Sequence, residues 1–350
     1  MRVFCFGRVI PISKLLGVAG AGLLLLAQSL SAQSDRPPRT LKIAHQYPAA
    51  ASVEEGDFRD RLCRKFAAEV ERRTNGSLRF EIFAENTLVK PDKQLEALQR
   101  GAVDFCVMPL YNVLEKLPEM NVTLLPGLVK SYEHGFRWKE APIGRDLGAL
   151  LEKNGALILT WNWQAGGIAS KYLPILEPDN LRDVRIRGPG KAVDLTLSAF
   201  RGKVTTLPSS DIAPAFREGR LEVTAATSAT ILSGHFEDYC KAVTSPRHRA
   251  LFYFLIPLVI SKTTFDSLTA EQRRIVLEVG VSLDDFARNA AEGDDLVLER
   301  TFIEHGAQVV ELSEENWALW QRVARAVSWK DFEQTVPNGA EWIRKAQAVE

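Results

Sequence analysis

The hydrophobic pattern of this 350-residue chain switches repeatedly between two periods. Short runs with an apolar residue at every second place predict half-buried strands. Longer runs with one at every third or fourth place predict helices lying against them. After a polar, proline-containing tether at 33–39, residues 41–45 read as a strand. Phe58, Leu62, Phe66 and Val70 form a helical stripe that Cys63 and Ala67 widen and Thr74-Asn75-Gly76 ends. Leu78, Phe80 and Ile82 alternate with Arg79 and Glu81 as a second strand. A short helix at 92–100, stopped by Gly101, leads to a third strand at 103–108. This β-α-β-α-β order predicts a right-handed parallel unit.

The same order then returns. Past a helix at 142–152 and a strand at 156–163, strands at 184–187, 203–207 and 221–225 alternate with helices at 192–200 and 211–218. The letters also repeat. Ala97-Leu98-Gln99-Arg100-Gly101-Ala102-Val103-Asp104-Phe105 matches Ala215-Phe216-Arg217-Glu218-Gly219-Arg220-Leu221-Glu222-Val223 in character. Each is a helix end, a glycine cap, an apolar residue and an acid opening a strand. The pattern predicts two α/β halves of one build with a cleft between them.

Residues 261–305 read as strongly helical, with Ser267 and Thr269 as candidate caps, Leu277, Val281 and Phe286 as buried points, and Gly280 and Gly293 as candidate bends. A helix this long can brace both halves. Four tryptophans in the tail, Trp317, Trp320, Trp329 and Trp342, read as packing against the body.

One stretch stands out chemically. Val184-Arg185-Ile186-Arg187 alternates as a strand, and Gly188-Pro189-Gly190 stops it at once. A strand of an open α/β sheet that ends this way delivers its last side chain to the crevice where ligands bind. Here that is Arg187, a planar fork suited to a carboxylate. Arg185 and Arg187 equally fit an exposed edge strand holding surface acids, and the stretch alone leaves both readings open.

Charge and composition narrow the class. The chain carries 44 basic and 44 acidic residues, and 41 against 44 without residues 1–32, which points to no nucleic-acid partner. Arg2, Arg8 and Lys14 precede an apolar run at 15–30 followed by small residues, as in an export signal cleaved after Ser31 or Ala32; a permanent anchor is the alternative. No later stretch is apolar for long enough to cross a membrane. A soluble mature protein in the periplasm is therefore expected. Cys5 leaves with the signal, and Cys63, Cys106 and Cys240 are too few to pair completely. Cys63 and Cys106 sit at core positions.

Catalysis finds no support. His45, His134, His235, His248 and His305 lack metal-ligand spacing, and His134 beside Glu133 reads as a surface pair. No G-x-S-x-G elbow occurs. Gly188-Pro189-Gly190-Lys191 lacks the first glycine of a phosphate-binding loop. No enzyme activity, cofactor or metal is expected.

The chain resembles the periplasmic solute-binding subunits of TRAP (tripartite ATP-independent periplasmic) transporters, from Leu41 to about Glu333. The resemblance is carried by Leu41-Lys42-Ile43-Ala44-His45, by Arg73-Thr74-Asn75-Gly76, and by Leu95 through Asp104. Leu125-Pro126-Gly127-Leu128 with Tyr132-Glu133-His134 adds to it, as do Asn180 through Arg187 and Leu258-Val259-Ile260-Ser261-Lys262 with Phe265-Asp266-Ser267-Leu268.

The resemblance implies an α/β, two-lobed periplasmic-binding-protein-like fold with parallel-rich sheets and a long helix bridging both lobes. Lobe 1 is expected at 40–160 plus about 250–290, and lobe 2 at 161–249 plus about 291–350. It implies capture of a small organic acid by lobe closure and delivery to the membrane permease of a TRAP transporter, driven by an ion gradient. A sensory protein presenting its loaded form to a membrane receptor would share fold and pocket. Arg187 falls on the family's carboxylate-clamping arginine, whereas Arg185 is structural.

Three positions depart from the family: Thr224-Ala225-Ala226-Thr227 replaces an asparagine-bearing run, Ser209 replaces a common aromatic, and Gln164-Ala165-Gly166 replaces a frequent second arginine. The remaining candidate contacts are Gln46, Met108, Trp163, Gln164, Ser209 and Thr227. Closure partly through Trp163 and Met108 is expected to supply most of the affinity. Of Phe252, Tyr253 and Phe254, two are expected in the core.

Overall fold

The computed structural model of this protein describes residues 37–350, so the export signal and its cleavage point lie outside the described residues. The first run of elements is β1 (Arg39–His45), α1 (Phe58–Arg73), β2 (Leu78–Phe83), α2 (Gln94–Gln99), β3 (Phe105–Val107), α3 (Tyr132–Trp138), α4 (Pro142–Lys153) and β4 (Ala156–Thr160). The second is β5 (Trp163–Ser170), β6 (Arg185–Gly188), α5 (Lys191–Ser198), β7 (Lys203–Thr206), α6 (Ile212–Arg217), β8 (Val223–Thr227), α7 (Ser228–Ser233), β9 (Ala242–Ser245) and β10 (Phe252–Leu255). After these come β11 (Leu258–Ser261), α8 (Lys262–Ser267), α9 (Ala270–Ser282), α10 (Asp284–Glu304), β12 (Gln308–Glu311), α11 (Glu314–Ala324), α12 (Lys330–Thr335) and α13 (Gly339–Gln347).

Two sheets form, one per lobe. The first has the order β2-β1-β3-β11-β4, and the second β12-β9-β5-β8-β6-β7 with β10 paired to β5. Reading the second backwards from β7 gives β7-β6-β8-β5-β9, so each strand of the first sheet has a counterpart. In both, the central pair (β1 with β3, β6 with β8) is parallel, and the strand beyond it (β11, β5) runs antiparallel. The lettered repeat is one helix stop built twice. Gly101 and Gly219 sit at φ +66° and +69°, where glycine meets no Cβ penalty. Each stop closes with the 6→1 bond (Ala102 N to Ala97 O, Arg220 N to Ala215 O, both 2.9 Å) and the 5→2 bond (Gly101 N to Leu98 O, Gly219 N to Phe216 O, both 3.1 Å). The acid that follows has a similar job in both halves: Asp104 accepts from Lys42 N within β1 at 2.8 Å and Glu222 from Arg185 N at the start of β6 at 3.0 Å, each tying its own strand to the neighbouring one.

The strand expected at 156–163 is in fact two. The chain leaves the first sheet after Thr160 and enters the second at Trp163. It returns between β10 and β11, and Ile256 N bonds Asn162 O at 2.8 Å where the two crossings meet. Since β10 belongs to the second sheet and β11 to the first, this crossing falls at Ile256 and Pro257.

The helical stretch beyond 261 divides into α8, α9 and α10. Thr269 caps α9 in a reciprocal box with Gln272, while Ser261 rather than Ser267 caps α8. The break before α10 falls at Leu283, at neither Gly280 nor Gly293. Leu277 and Val281 are 40% and 52% exposed; the buried face is Ile275, Val276, Val279 and Gly280. Gly280 is there for proximity, because a Cβ would stand 2.8 Å from the Leu159 backbone. The 21-residue α10 packs against α1 on one side and α7, β5, β9 and β12 on the other. Its first residue, Asp284, accepts from Trp161 N at 2.8 Å, tying the long helix to a crossing.

The tail wraps the body as expected. Trp320 and Trp329 are buried and Trp317 half-buried, and the three donate indole N–H bonds to the Leu176, Pro126 and Ala250 carbonyls. Cys63, Cys106 and Cys240 are free, buried thiols; burial pushes Cys240 up to about 12. His134 is buried, its Nδ1 accepting from Lys130 N and its Nε2 reaching Val349 O, while Glu133 pairs with Arg137. The expected His134–Glu133 surface pair is therefore absent, because the tail covers that face.

Candidate functional site

Arg187 stands on β6, one place before the strand ends, and is only 2% exposed. Its Nε and Nη2 donate to Leu207 O at 2.9 and 2.8 Å, and its Nη1 donates to Ala225 O at 2.8 Å. These bonds aim the fork without neutralising it. Burial pulls its pKa below the ordinary arginine value, against which the Tyr111 hydroxyl and the more distant Asp194 favour the charge. An arginine stays protonated regardless. Gly188 leaves room for Asp194, whose Oδ1 would lie 1.7 Å from a Cβ there. Arg185, two places back, is exposed and pairs with Glu222 at 3.2 Å, a structural role.

The Arg187 side chain lines a small cavity of about 10 Å³ between the lobes, shared with Tyr47, Tyr111, Ser209, Ala226, Thr227, Thr230, Phe254 and Ile256. Tyr47 and Tyr111 come from the segments after β1 and β3, and the others mainly from the second sheet. Gln46 closes the seam: its Nε2 donates to Ser209 Oγ at 2.7 Å and to Tyr111 Oη at 3.1 Å.

Behind the Tyr47 wall lies a second buried arginine that sequence reasoning missed. Arg59 is in the first turn of α1, where the pattern reads only as a polar place beside the apolar stripe. Its Nε and Nη2 engage both oxygens of Asp57, at 2.9 and 2.5 Å. Its Nη1 crosses to Thr230 Oγ1 at 2.8 Å on α7, and its guanidinium lies 3.6 Å from the centre of the Tyr47 ring. Burial opposes its charge, but Asp57 more than compensates and the pKa ends above the ordinary value.

The long helix brings two carboxyls to the same seam. Asp295 accepts from Ser228 Oγ at 2.5 Å and from Tyr132 Oη at 2.9 Å, joining α10 to both α7 and α3. Burial pushes Asp294 and Asp295 each up to about 7; Asp57 repels Asp294 further, while Ser228 and Tyr132 partly hold Asp295 down. The folded state therefore holds protons that the unfolded chain gives up above about pH 4. Stability is lost as pH rises from about 4 to 7, and the full cost stands above that. Asp295→Asn is expected to flatten this dependence, removing up to about 4 kcal/mol of it. Urea denaturation of both proteins across that range measures it, and parallel curves would count against the assignment.

Of the residues expected at the site, Arg187, Ser209 and Thr227 line the cavity and Gln46 bonds its wall. Met108, Trp163 and Gln164 do not reach it. Trp163 opens β5 instead of ending a strand, so its ring packs on Gly135 and edge-on against Trp138. Met108 is fully buried in the core, its N–H bonded to Pro257 O. Gln164 is buried opposite Phe254 in the β5–β10 pair. As expected, one of the three neighbouring aromatics, Phe254, reaches the cavity, while Phe252 covers Gly166 and Tyr253 meets Tyr132. Among the described residues no group of acids, histidines and cysteines is placed to hold a metal ion, and no helix is long and apolar enough to cross a membrane.

A two-lobed body with a buried arginine at the seam invites comparison with binding proteins. Residues 50–335 match the profile of the family described as bacterial extracellular solute-binding protein, family 7. The chain belongs to this family. A solute-binding protein of Albidiferax ferrireducens is 39% identical over 292 residues, covering 83% of this chain and 86% of the relative. The C4-dicarboxylate-binding periplasmic protein DctP of Rhodobacter capsulatus is 25% identical over 342 residues, covering 96% and 98%. Among solved structures, a TRAP periplasmic solute-binding protein of Rhodoferax ferrireducens with bound malonate superposes with a TM-score of 0.86. It shares 38% identity and covers 88% of this chain and 98% of its own. This solute-binding protein thus has the two-lobed TRAP receptor fold, and members of its family are periplasmic.

Proposed function

We propose that this protein captures a small organic carboxylate between its lobes in the periplasm and hands it to the membrane permease of a TRAP transporter, without chemical change to the ligand. The observation that carries the reading is Arg187: a buried cation at the inter-lobe cavity that bonds the Leu207 and Ala225 carbonyls, has the Tyr111 hydroxyl beside it, and is paired with no carboxylate among the described residues. A buried charge left unpaired costs the fold, and a ligand carboxylate offsets that cost. The malonate bound by the Rhodoferax ferrireducens relative supports the same class.

The lobes divide near the crossings at 161–162 and 256–257. About 10 Å³ holds no more than one water, so a ligand enters only when the lobes part, breaking the Gln46–Ser209 and Arg59–Thr230 bonds, and it reshapes the seam as they close. One charge-assisted bond contributes roughly 1.5–3 kcal/mol, whereas micromolar binding takes about 8 kcal/mol. Closure over Tyr47, Tyr111 and Phe254 supplies the difference by excluding water and burying apolar ligand surface. The loaded, closed form is then what the permease distinguishes from the empty one.

A thermal-shift screen over mono-, di- and keto-acids, sugar acids and aromatic carboxylates tests the reading. A true ligand raises the melting temperature in proportion to the logarithm of its excess over Kd. A flat response to every acid, with a shift from a neutral or cationic solute, would overturn it.

A further inference from the structure

The balance of charge around the cavity narrows the ligand further, on the reading that this is the carboxylate site. Arg187 is the one cation among the residues lining it. The next nearest, Arg59, stands behind Tyr47 and Thr230 with both oxygens of Asp57 on its guanidinium and Asp294 close enough to act on it. His45, at the end of β1, is bonded to Asp60 at 2.9 Å. Arg64 also pairs with Asp60, and Arg61 lies close enough to act on Asp294, so that side of the cavity is close to neutral, with no unpaired cation on its wall among the described residues. Asp194 acts on Arg187 from beyond ion-pair distance and limits how much negative charge the other side can take. A second carboxylate would be desolvated with no cation to receive it.

The same wall offers something to a neutral oxygen. Tyr47 is buried, its hydroxyl has no hydrogen-bond partner, and it lines the cavity. Arg59 lies over the face of the ring, 3.6 Å from its centre, and as a donor it leaves the hydroxyl proton free for a ligand oxygen. Buried hydroxyls are rarely left unpaired, and burial holds this one protonated by raising its pKa well above the usual tyrosine value.

We propose that the site takes a small monocarboxylate carrying a hydroxyl or keto oxygen, with its carboxylate on Arg187 and its neutral oxygen on Tyr47 Oη, and that it rejects dicarboxylates of equal length because Asp57 neutralises Arg59. Malonate, bound by a relative, is therefore the sharpest competitor.

Isothermal titration with lactate and 2-hydroxybutyrate against malonate and succinate, near pH 8 where both carboxyls of the diacids are ionised, tests this. The monoacids are expected to bind at least about tenfold tighter. A diacid binding as tightly as its matched monoacid would overturn this inference and leave carboxylate capture standing; no binding by any acid would overturn both. Two variants separate the parts. Tyr47→Phe is expected to erase a roughly three- to tenfold preference for lactate over propionate, and an unchanged ratio removes Tyr47 from the proposal. Asp57→Asn, which keeps the α1 cap, is expected to raise diacid affinity relative to monoacid by freeing the Arg59 charge. A ratio that does not move in folded Asp57→Asn protein removes the charge argument, and the wild-type series decides the matter should that variant not fold.

Discussion

Arg187→Ala is expected to weaken ligand binding by about 10- to 100-fold, the value of one charge-assisted contact. The loss arises in two places. The ligand carboxylate enters a closed seam without a cation, and the Leu207 and Ala225 carbonyls lose the donors that Arg187 gave them. The second effect lowers stability of the empty protein by about 1–3 kcal/mol, offset in part because the unpaired buried charge is removed with it. Titration calorimetry reads the first and urea denaturation without ligand reads the second, so the two are separable. Arg187→Lys keeps the charge but replaces a planar fork by a point donor. It should recover part of the affinity and less of the stability. Wild-type affinity in Arg187→Ala would mean that the carboxylate binds elsewhere.

The largest effect on stability is expected from Arg59→Met, at about 3–5 kcal/mol. The variant strands Asp57 as a buried, uncompensated carboxylate and cuts the bonds to Thr230 and Ser233 that join α1 to α7. Adding Asp57→Asn removes the stranded charge while keeping the α1 cap, because an asparagine oxygen accepts from Arg59 N as the aspartate does. The double variant should therefore regain more than half of the loss. A single variant costing under about 1 kcal/mol by urea denaturation would show that the pair is dispensable. Tyr47 also loses the cation on its ring, so the cavity wall should loosen, and hydrogen exchange in α1 and α7 should rise together.

Both arginines carry the same side chain, yet only Arg187 was legible beforehand. Its signal was partly local: alternation with Val184 and Ile186, then Gly188-Pro189-Gly190, made it a candidate for a crevice or an exposed edge, and the family resemblance chose the crevice. Arg59 gives no such signal. On α1 it lies next to the apolar stripe, and the pattern cannot tell that α7 and the Tyr47 ring close over it. The same blindness explains Leu277 and Val281, which fit the helical period but face solvent because α9 settles on Leu159 through Gly280. It explains Trp163 too. A single strand spans 156–163 only in the letters; the chain changes sheets inside it, and that change turns the tryptophan toward α3.

By itself the sequence determined the two α/β halves, the paired helix stops at Gly101 and Gly219, the acids at Asp104 and Glu222 that open strands, and the arginine-bearing strand β6 with its glycine stop. These depend on periodicity, caps and glycine conformations, which neighbours along the chain set among themselves. The tertiary structure alone decided where the chain crosses between sheets, that Tyr47 and Tyr111 meet Arg187, and that Thr230 and the Tyr47 ring close over the Asp57–Arg59 pair behind them. Those facts depend on residues far apart in the chain being brought into contact, as Arg59 and Thr230, 171 places apart, are. Burial and charge pairing are properties of that proximity, and no local pattern encodes them.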